Sequence, residues 1–331
     1  MKLQGGTLLL ACLICGAMLF PIPLSNGLSL MATPAWSHDV TPHPHAEDSE
    51  VGETKDVHPK HGSMGAIGSK LANPVSDLWQ LAFSLNAPAF YDGDINSGDP
   101  EVGGVLAFQP VMPIPLWGEG KSELRMIVRP IIPIVFSEPI PKGNNDFTHQ
   151  GGIGDIQLPM LVNVPESKAG KWLLGTGPVA LFPTATTDAL GEDQFAMGPA
   201  AVLGYTHKNM TFGIFPNYLW KIGSTGQDKN TPNVNKGSLL YFFNYMLPNA
   251  WQVGMNPTIT YNHQADSGNK WSVPVGGYVG KTTTICDMPV NIKFGLEYSV
   301  VSPDDWGQRV AFRLQVTPVV PGLINKAIFG K

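Results

Sequence analysis

The chain has 331 residues, 43% of them hydrophobic and 14% charged, with 37 Gly and 30 Pro. That charged share is well below the roughly 25% of ordinary soluble domains, and a mean hydropathy of +0.01 suits strands that average an oily row against a wet one. A net charge of -5 and a pI near 5.9 give no basic field of the kind nucleic acid requires, which sets that partner class aside.

In chain order, Lys2 supplies a positive start and Thr7 to Phe20 an apolar run that halts at Pro21 and Pro23. The run is too short for a spanning helix, which takes about 20 residues. It has the anatomy of a secretory signal peptide over residues 1–37, with cleavage expected after Gly27 or Ser37. A lipoprotein alternative at Cys12 is weaker, because the apolar run continues past it. Cys12 and Cys15 leave with the signal, and Cys286 alone makes no intramolecular disulfide. Residues 38–70 form a polar leader, expected to be a flexible periplasmic spacer. Its His38, His43, His45, His58 and His61 are the metal-ligand candidates, for Zn or Ni. Without a scaffold to fix their geometry a solvated spacer is the simpler reading, and no cofactor is expected.

Beyond the signal no stretch of 18 apolar residues occurs, so a membrane-embedded mature chain must cross as a closed barrel. Alternating polarity predicts about twelve strands, near 77–91, 102–115, 122–137, 152–164, 171–184, 195–206, 210–223, 237–247, 251–263, 270–280, 288–300 and 307–318. The pattern is sharpest late in the chain. Trp251, Val253, Met255, Pro257, Ile259 and Tyr261 interleave with polar or small residues. Val290, Ile292, Phe294, Leu296, Tyr298 and Val300 alternate with Asn291, Lys293, Gly295, Glu297 and Ser299; Val310, Phe312, Leu314 and Val316 alternate with Arg309, Ala311, Arg313, Gln315 and Thr317.

The connections 92–101, 138–151, 185–194 and 224–236 are long and polar, whereas 117–121, 165–170, 207–209 and 248–250 are short. An outer-membrane barrel with a periplasmic N-terminus has this order, although the contrast fades after residue 264. The apolar rows end in Trp79, Trp172, Trp220, Trp251, Tyr261, Trp271 and Tyr298, where an interface belt places amphipathic rings. A soluble β-sandwich also alternates with period two and stands as the competing fold. Pro130, Pro133, Pro159, Pro178, Pro216, Pro257 and Pro274 fall inside predicted strands; each removes a ladder donor, so bends or bulges are expected. The fold class is therefore all-β: a transmembrane antiparallel β-barrel over residues 71–318, with a short C-terminal tail at 319–331.

Four segments carry a family resemblance: Asn73-Pro74-Val75-Ser76-Asp77-Leu78, Gln109-Pro110-Val111-Met112-Pro113, Arg129-Pro130-Ile131-Ile132-Pro133 and Gly151-Gly152-Ile153-Gly154-Asp155-Ile156. They resemble a family of bacterial outer-membrane barrels labelled transporter or MetA-pathway phenol-degradation proteins, often mislabelled neuromedin U. The resemblance spans residues 71–318. It implies a barrel of twelve or so strands and a transport role, and it brings no substrate or site residues. One departure is the end of the chain, where Phe329 is followed by Gly330 and Lys331 rather than closing on an aromatic residue.

The wet row supplies Arg125, Arg129, Lys171, Lys221, Lys293, Glu297, Arg309 and Arg313 as candidate lumen-lining residues. A cationic lumen favours anionic or aromatic acid solutes. The alternative is that these groups pair with Glu123, Glu297 and one another and fill a closed interior. The expected function is a passive outer-membrane channel of a Gram-negative cell for small solutes, anionic or aromatic and hydrophobic. A structural or surface-interaction barrel and an outer-membrane lipid hydrolase are the alternatives. Catalysis is not expected, because His149, His207 and His263 lie in no recognisable nucleophile motif. The stretch from Asp92 to Asp99 resembles a calcium loop, but Gly98 stands one place late and Gly103 occupies the position of the final Glu, so it reads as an acidic outer loop. Expected partners are outer-membrane lipid, the assembly machinery of that membrane and a small-molecule solute.

Overall fold

The computed structural model describes residues 64–143, 146–225 and 232–330; the signal segment, the cleavage sites and the five leader histidines lie outside them. Helix α1 (Met64–Leu71) occupies the last part of the expected leader. It is followed by β1 (Gln80–Asp92), β2 (Glu101–Trp117), β3 (Leu124–Val128), β4 (Ile132–Gly143), β5 (Asp146–Ile153), β6 (Ile156–Asn163), β7 (Trp172–Phe182), β8 (Gln194–His207), β9 (Met210–Ser224), β10 (Asn235–Met246), β11 (Trp251–Met255), β12 (Thr258–Asn262), β13 (Trp271–Ile285), β14 (Met288–Val301) and β15 (Gly307–Pro318). Interruptions at Arg129-Pro130-Ile131, Gly154-Asp155 and Asn256-Pro257 split three strands, so the fifteen segments are twelve strands. β1 pairs antiparallel with both β2 and β15, which closes the sheet on itself and removes its edges.

The closed sheet has an oily outside. On β14, Phe294, Leu296, Tyr298 and Val300 are 46–59% exposed, while Lys293, Glu297 and Ser299 between them are at most 8% exposed. Leu203, Phe212, Val279 and Phe312 extend the belt around the other strands. No aqueous monomer stabilises a continuous apolar belt of this kind, so the surface is that of a membrane-spanning barrel of the outer-membrane type rather than of a sandwich. Rings flank the belt on both sides. Trp117, Trp172 and Trp251 lie at the end that carries the chain termini, and Trp220, Trp271 and Tyr298 at the opposite, loop-bearing end. No described helix is long and apolar enough to cross a membrane, so the strands do the crossing.

The long and short connections alternate as expected, with one correction. Residues 138–151 are not a loop: β4 and β5 continue as a hairpin broken only by residues 144–145. Tyr91 donates to Glu138 Oε2 at 3.2 Å and Phe147 packs on Trp306 with ring centroids 4.6 Å apart, contacts that only the closed barrel brings together. At the terminal end the turns are tight. Cys286 and Asp287 both take positive φ, 49° and 61°, the two-residue hairpin geometry whose twist matches its strands.

The prolines divide by position. Pro130 and Pro257 sit at strand interruptions and Pro274 at a register shift, whereas Pro178 faces Pro199 in an unbroken β7–β8 ladder. The rows beside that proline pair are skipped in the β6–β7 and β8–β9 ladders, where the missing donors would have bonded. The preceding glycines make this possible: a Cβ on Gly177 would lie 1.9 Å from the Met160 carbonyl oxygen, and one on Gly198 would lie 1.8 Å from that of Tyr218.

Both ends of the chain return to the terminal end of the barrel. α1 and residues 72–79 close the lumen there, with Ile67, Val75 and Ser76 all buried. A Cβ on Gly68 would meet Thr282 Oγ1 at 2.6 Å, so glycine lets α1 lie this close to the wall. The C-terminal tail folds back along β2, the Phe329 amide donating to the Leu116 carbonyl at 3.0 Å and its ring lying 4.8 Å from that of Trp117.

Candidate functional site

The lumen is the candidate site, and its two walls differ. On the arc from β2 and β3 through β6 to β9, most of the buried inward side chains form one apolar cluster that includes Val111, Ile127, Leu161, Val179, Val202 and Phe215, into which Val75 of the N-terminal segment inserts, with Asn163, Gln194 and Thr211 the buried polar ones beside it. On the arc from β10 to β15 most of the buried inward side chains are polar, namely Asn244, Gln252, Thr282, Asn291, Lys293, Glu297 and Thr317, with Phe242, Met246 and Ala311 the apolar ones among them.

Space inside is unevenly distributed. A cavity of about 530 Å³ at the terminal end is bordered by Lys70, Asp77, Arg125, Asn163 and Lys171. Another, of about 390 Å³, lies towards the loops beside Leu219, Lys236, Tyr261 and Lys270. Between these levels the central cavity is only about 60 Å³, lined by Val111, Arg129, Leu240, Phe242, Asn244, Tyr278 and Lys293, with Leu71 to Pro74 intruding from the N-terminal segment. At this level the N-terminal segment reaches Arg129 and Lys293 inside the lumen.

The eight sequence candidates do not form a single ring. Arg129, Lys293, Glu297 and Arg313 cluster at the central level. Arg125 and Lys171 border the terminal-end cavity, and Lys221 and Arg309 lie in the loop-end halves of β9 and β15. Two are neutralised locally: Arg313 pairs with Glu297 at 2.8 Å and donates through Nε to Asn86 Oδ1 at 2.9 Å, and Arg125 pairs with Glu123; Lys221 keeps its charge and donates to Asn233 Oδ1 at 2.9 Å. Arg129 donates only to Gln109 Oε1, at 2.6 Å, and Lys293 Nζ stands 4.6 Å above the Tyr278 ring. Neither of these two cations has an ion-pair partner among the described residues.

Tyr278 and Asn244 are site residues that the sequence reading missed. Both stand on the inward rows of predicted strands, and the register that sets Tyr278 opposite Gly295 and Gly280 opposite Lys293 brings them to the cations. Alternation parity marks both as inward, but not which inward residues share a level.

The wall also opens beside β13. β11 pairs with β13 as far as Gly254 opposite Tyr278, and β12 rejoins it only at Thr260 opposite Ser272. Between these points Asn256 and Pro257 leave β13, although the Pro257 carbonyl still accepts from the Tyr241 amide of β10 at 3.2 Å. Pro257 falls on the outward row yet is fully buried, because the strand dips inward there. The Tyr241 hydroxyl reaches over the gap to the Pro274 carbonyl at 2.8 Å, and the Glu297–Arg313 pair borders the gap from within.

At the loop end the barrel brings together a serine, a histidine and a carboxylate. Ser137 Oγ is 2.7 Å from His149 Nδ1, and His149 Nε2 is 3.2 Å from Glu101 Oε2. The residues come from β4, β5 and β2, so no sequence motif could have shown them. The order of the ring nitrogens is the reverse of a hydrolytic triad, in which Nε2 faces the serine. The acidic 92–99 loop is held by backbone bonds, the Asp94 amide donating to the Asp304 carbonyl at 2.8 Å.

By sequence the chain matches no family model and no curated protein. By structure it is similar to the COG4313 outer membrane channel from Pseudomonas putida F1, with a TM-score of 0.57 at 9% identity over 80% of this chain and 100% of that one. It also aligns with the NanC porin, at a TM-score of 0.43 and 11% identity over 73% of this chain and 99% of that one. At such identities the likeness is one of fold, and with the closed sheet and its apolar belt it makes this chain a twelve-stranded antiparallel barrel of the outer-membrane kind.

Proposed function

We propose that the protein is a passive outer-membrane channel for small amphipathic solutes, aromatic or anionic, with both termini in the periplasm. The observation that carries this is the mixed lining of the central lumen, where Val111, Leu240 and Phe242 stand beside Arg129 and Lys293, two cations with no ion-pair partner among the described residues. A sugar channel has little use for the apolar groups and an alkane channel little use for the cations. The resemblance to the phenol-degradation transporter family and the fold likeness to an outer membrane channel point to the same class of role. The gap between β12 and β13 supports a side route by which the oily part of a solute could pass between lumen and bilayer.

Proteoliposome swelling with a sugar, an aromatic acid and an alkane in parallel tests the reading. Faster entry of the aromatic acid than of the sugar is expected; equal rates would mean an unselective pore, and no entry a closed barrel. The channel reading leaves catalysis aside, since Ser137 addresses the wrong ring nitrogen. Purified wild type and Ser137→Ala should release equally negligible fatty acid from phospholipid vesicles. Serine-dependent release would sink the non-enzymatic reading.

A further inference from the structure

We propose that the central cavity binds the carboxylate head of an amphipathic acid between Lys293 and Arg129, with the apolar body along Leu240 and Phe242. This rests on the channel reading, since the cavity lies within the lumen that a solute would traverse. The argument is a surplus of donors. Lys293 is 6% exposed and carries three N–H donors, and the Tyr278 face beneath it attracts the charge but offers no lone pair in line with them. Arg129 uses Nη2 on Gln109, while its Nε is buried with no partner. The Tyr278 hydroxyl donates to Asn244 Oδ1 at 2.9 Å, which fixes that amide so that Nδ2 is the remaining group, and Nδ2 is buried and unpartnered.

Three buried donor groups, two of them cationic, therefore border one cavity. The nearest carboxylate, Glu297, is committed to Arg313. A buried charge left without a partner costs several kcal/mol, so an anion that enters here gains what the protein itself does not supply. A carboxylate has two oxygens and about four acceptor sites, which suits an ammonium, a guanidinium edge and an amide. A bulkier dianion would press its remaining oxygens against Val111, Leu240 and Phe242. The volume of about 60 Å³ is well under the roughly 150 Å³ of a cavity that holds benzene, so the cavity takes a head group and the body extends along the lumen.

Calorimetric titration of the folded barrel in detergent with octanoate, octanol and chloride tests the site. Octanoate is expected to bind at one site and octanol far more weakly. Lys293→Met should weaken octanoate by roughly tenfold or more, the loss of one charge-assisted hydrogen bond, and leave octanol unchanged. Equal affinity for acid and alcohol, or indifference of octanoate binding to Lys293→Met, would overturn the proposal. Chloride competing as well as octanoate would overturn it too, by making this a simple halide site. Should Lys293→Met not give the heat-modifiable folded form, Arg129→Gln and Asn244→Leu carry the same readout. Bilayer conductance of the same preparations separates the two claims. Conductance without acid binding sinks the site and leaves the channel, whereas acid binding without conductance does the reverse.

Discussion

Along β7, β8 and β9 the inward side chains are mostly apolar, with Val179, Leu181, Ala196, Ala200, Val202 and Phe215 beside Gln194 and Thr211; along β13, β14 and β15 they are mostly polar, with Thr282, Asn291, Lys293, Glu297, Arg313 and Thr317 beside Ala311. Outward, the two arcs are alike, with Leu203 and Phe212 on one and Phe294 and Phe312 on the other, all exposed. The lipid dictates one composition for the whole outer surface. The inside answers to whatever fills it, and here one arc is filled partly by the chain's own Val75 while the other keeps polar groups whose partners are incomplete. A barrel that was merely a filled structural staple would have no reason for the asymmetry.

The largest expected effect breaks the apolar arc's hold on the N-terminal segment. Val75→Asp removes the apolar contact with Val111, Ile127 and Leu161, and displacement of the segment towards the cations of the terminal-end cavity relieves the cost of setting a carboxylate among them. Single-channel conductance should rise several-fold while the folded form is retained. Unchanged conductance would show that this segment is not what narrows the lumen. On the polar arc the matching experiment is Glu297→Leu, which strands Arg313 and should cost about 3–5 kcal/mol in urea unfolding. Adding Arg313→Met should restore most of that loss. A double variant as unstable as the single one would mean that the pair serves the fold through its packing and not its charge.

The same comparison explains what could be read in advance. The polar arc announces itself in the sequence, because Lys293, Glu297 and Arg313 alternate with Phe294, Tyr298 and Phe312 and period two is unmistakable. The apolar arc is far less legible: β8 reads Phe195, Ala196, Met197, Gly198, Pro199, Ala200, oily on both faces, and only its size pattern, large outside and small inside, distinguishes them. Twelve strands emerge either way, since turns and rings punctuate both arcs. The hairpin at 138–151 was hidden by its polar composition, because the contacts of Tyr91, Phe147 and Trp306 that hold it exist only once the sheet has closed. The central site is hidden for a related reason. Alternation assigns a residue to the inside but says nothing of its height, so eight inward charges read as one set until register separates Arg129 and Lys293 from Arg125, Lys171, Lys221 and Arg309.

Two glycine substitutions give the smallest effects and test the wall itself. In the apolar arc Gly198 lies where β8 and β9 approach closely without a ladder pair, and Gly198→Ala forces its Cβ into the Tyr218 carbonyl, so a loss of about 1–3 kcal/mol is expected. At the gap, a Cβ on Gly277 meets only the Gly254 carbonyl oxygen at 3.4 Å, an ordinary contact, and β13 has no ladder partner on that side until Ser272. Gly277→Ala should therefore be near neutral, within about 0.5 kcal/mol. Gly277→Trp, reaching across the same opening, should slow uptake of an apolar solute into proteoliposomes and leave ion conductance along the lumen unchanged. Were Gly277→Ala as damaging as Gly198→Ala, the wall would be closed there, and an apolar solute would have to share the path of the ions.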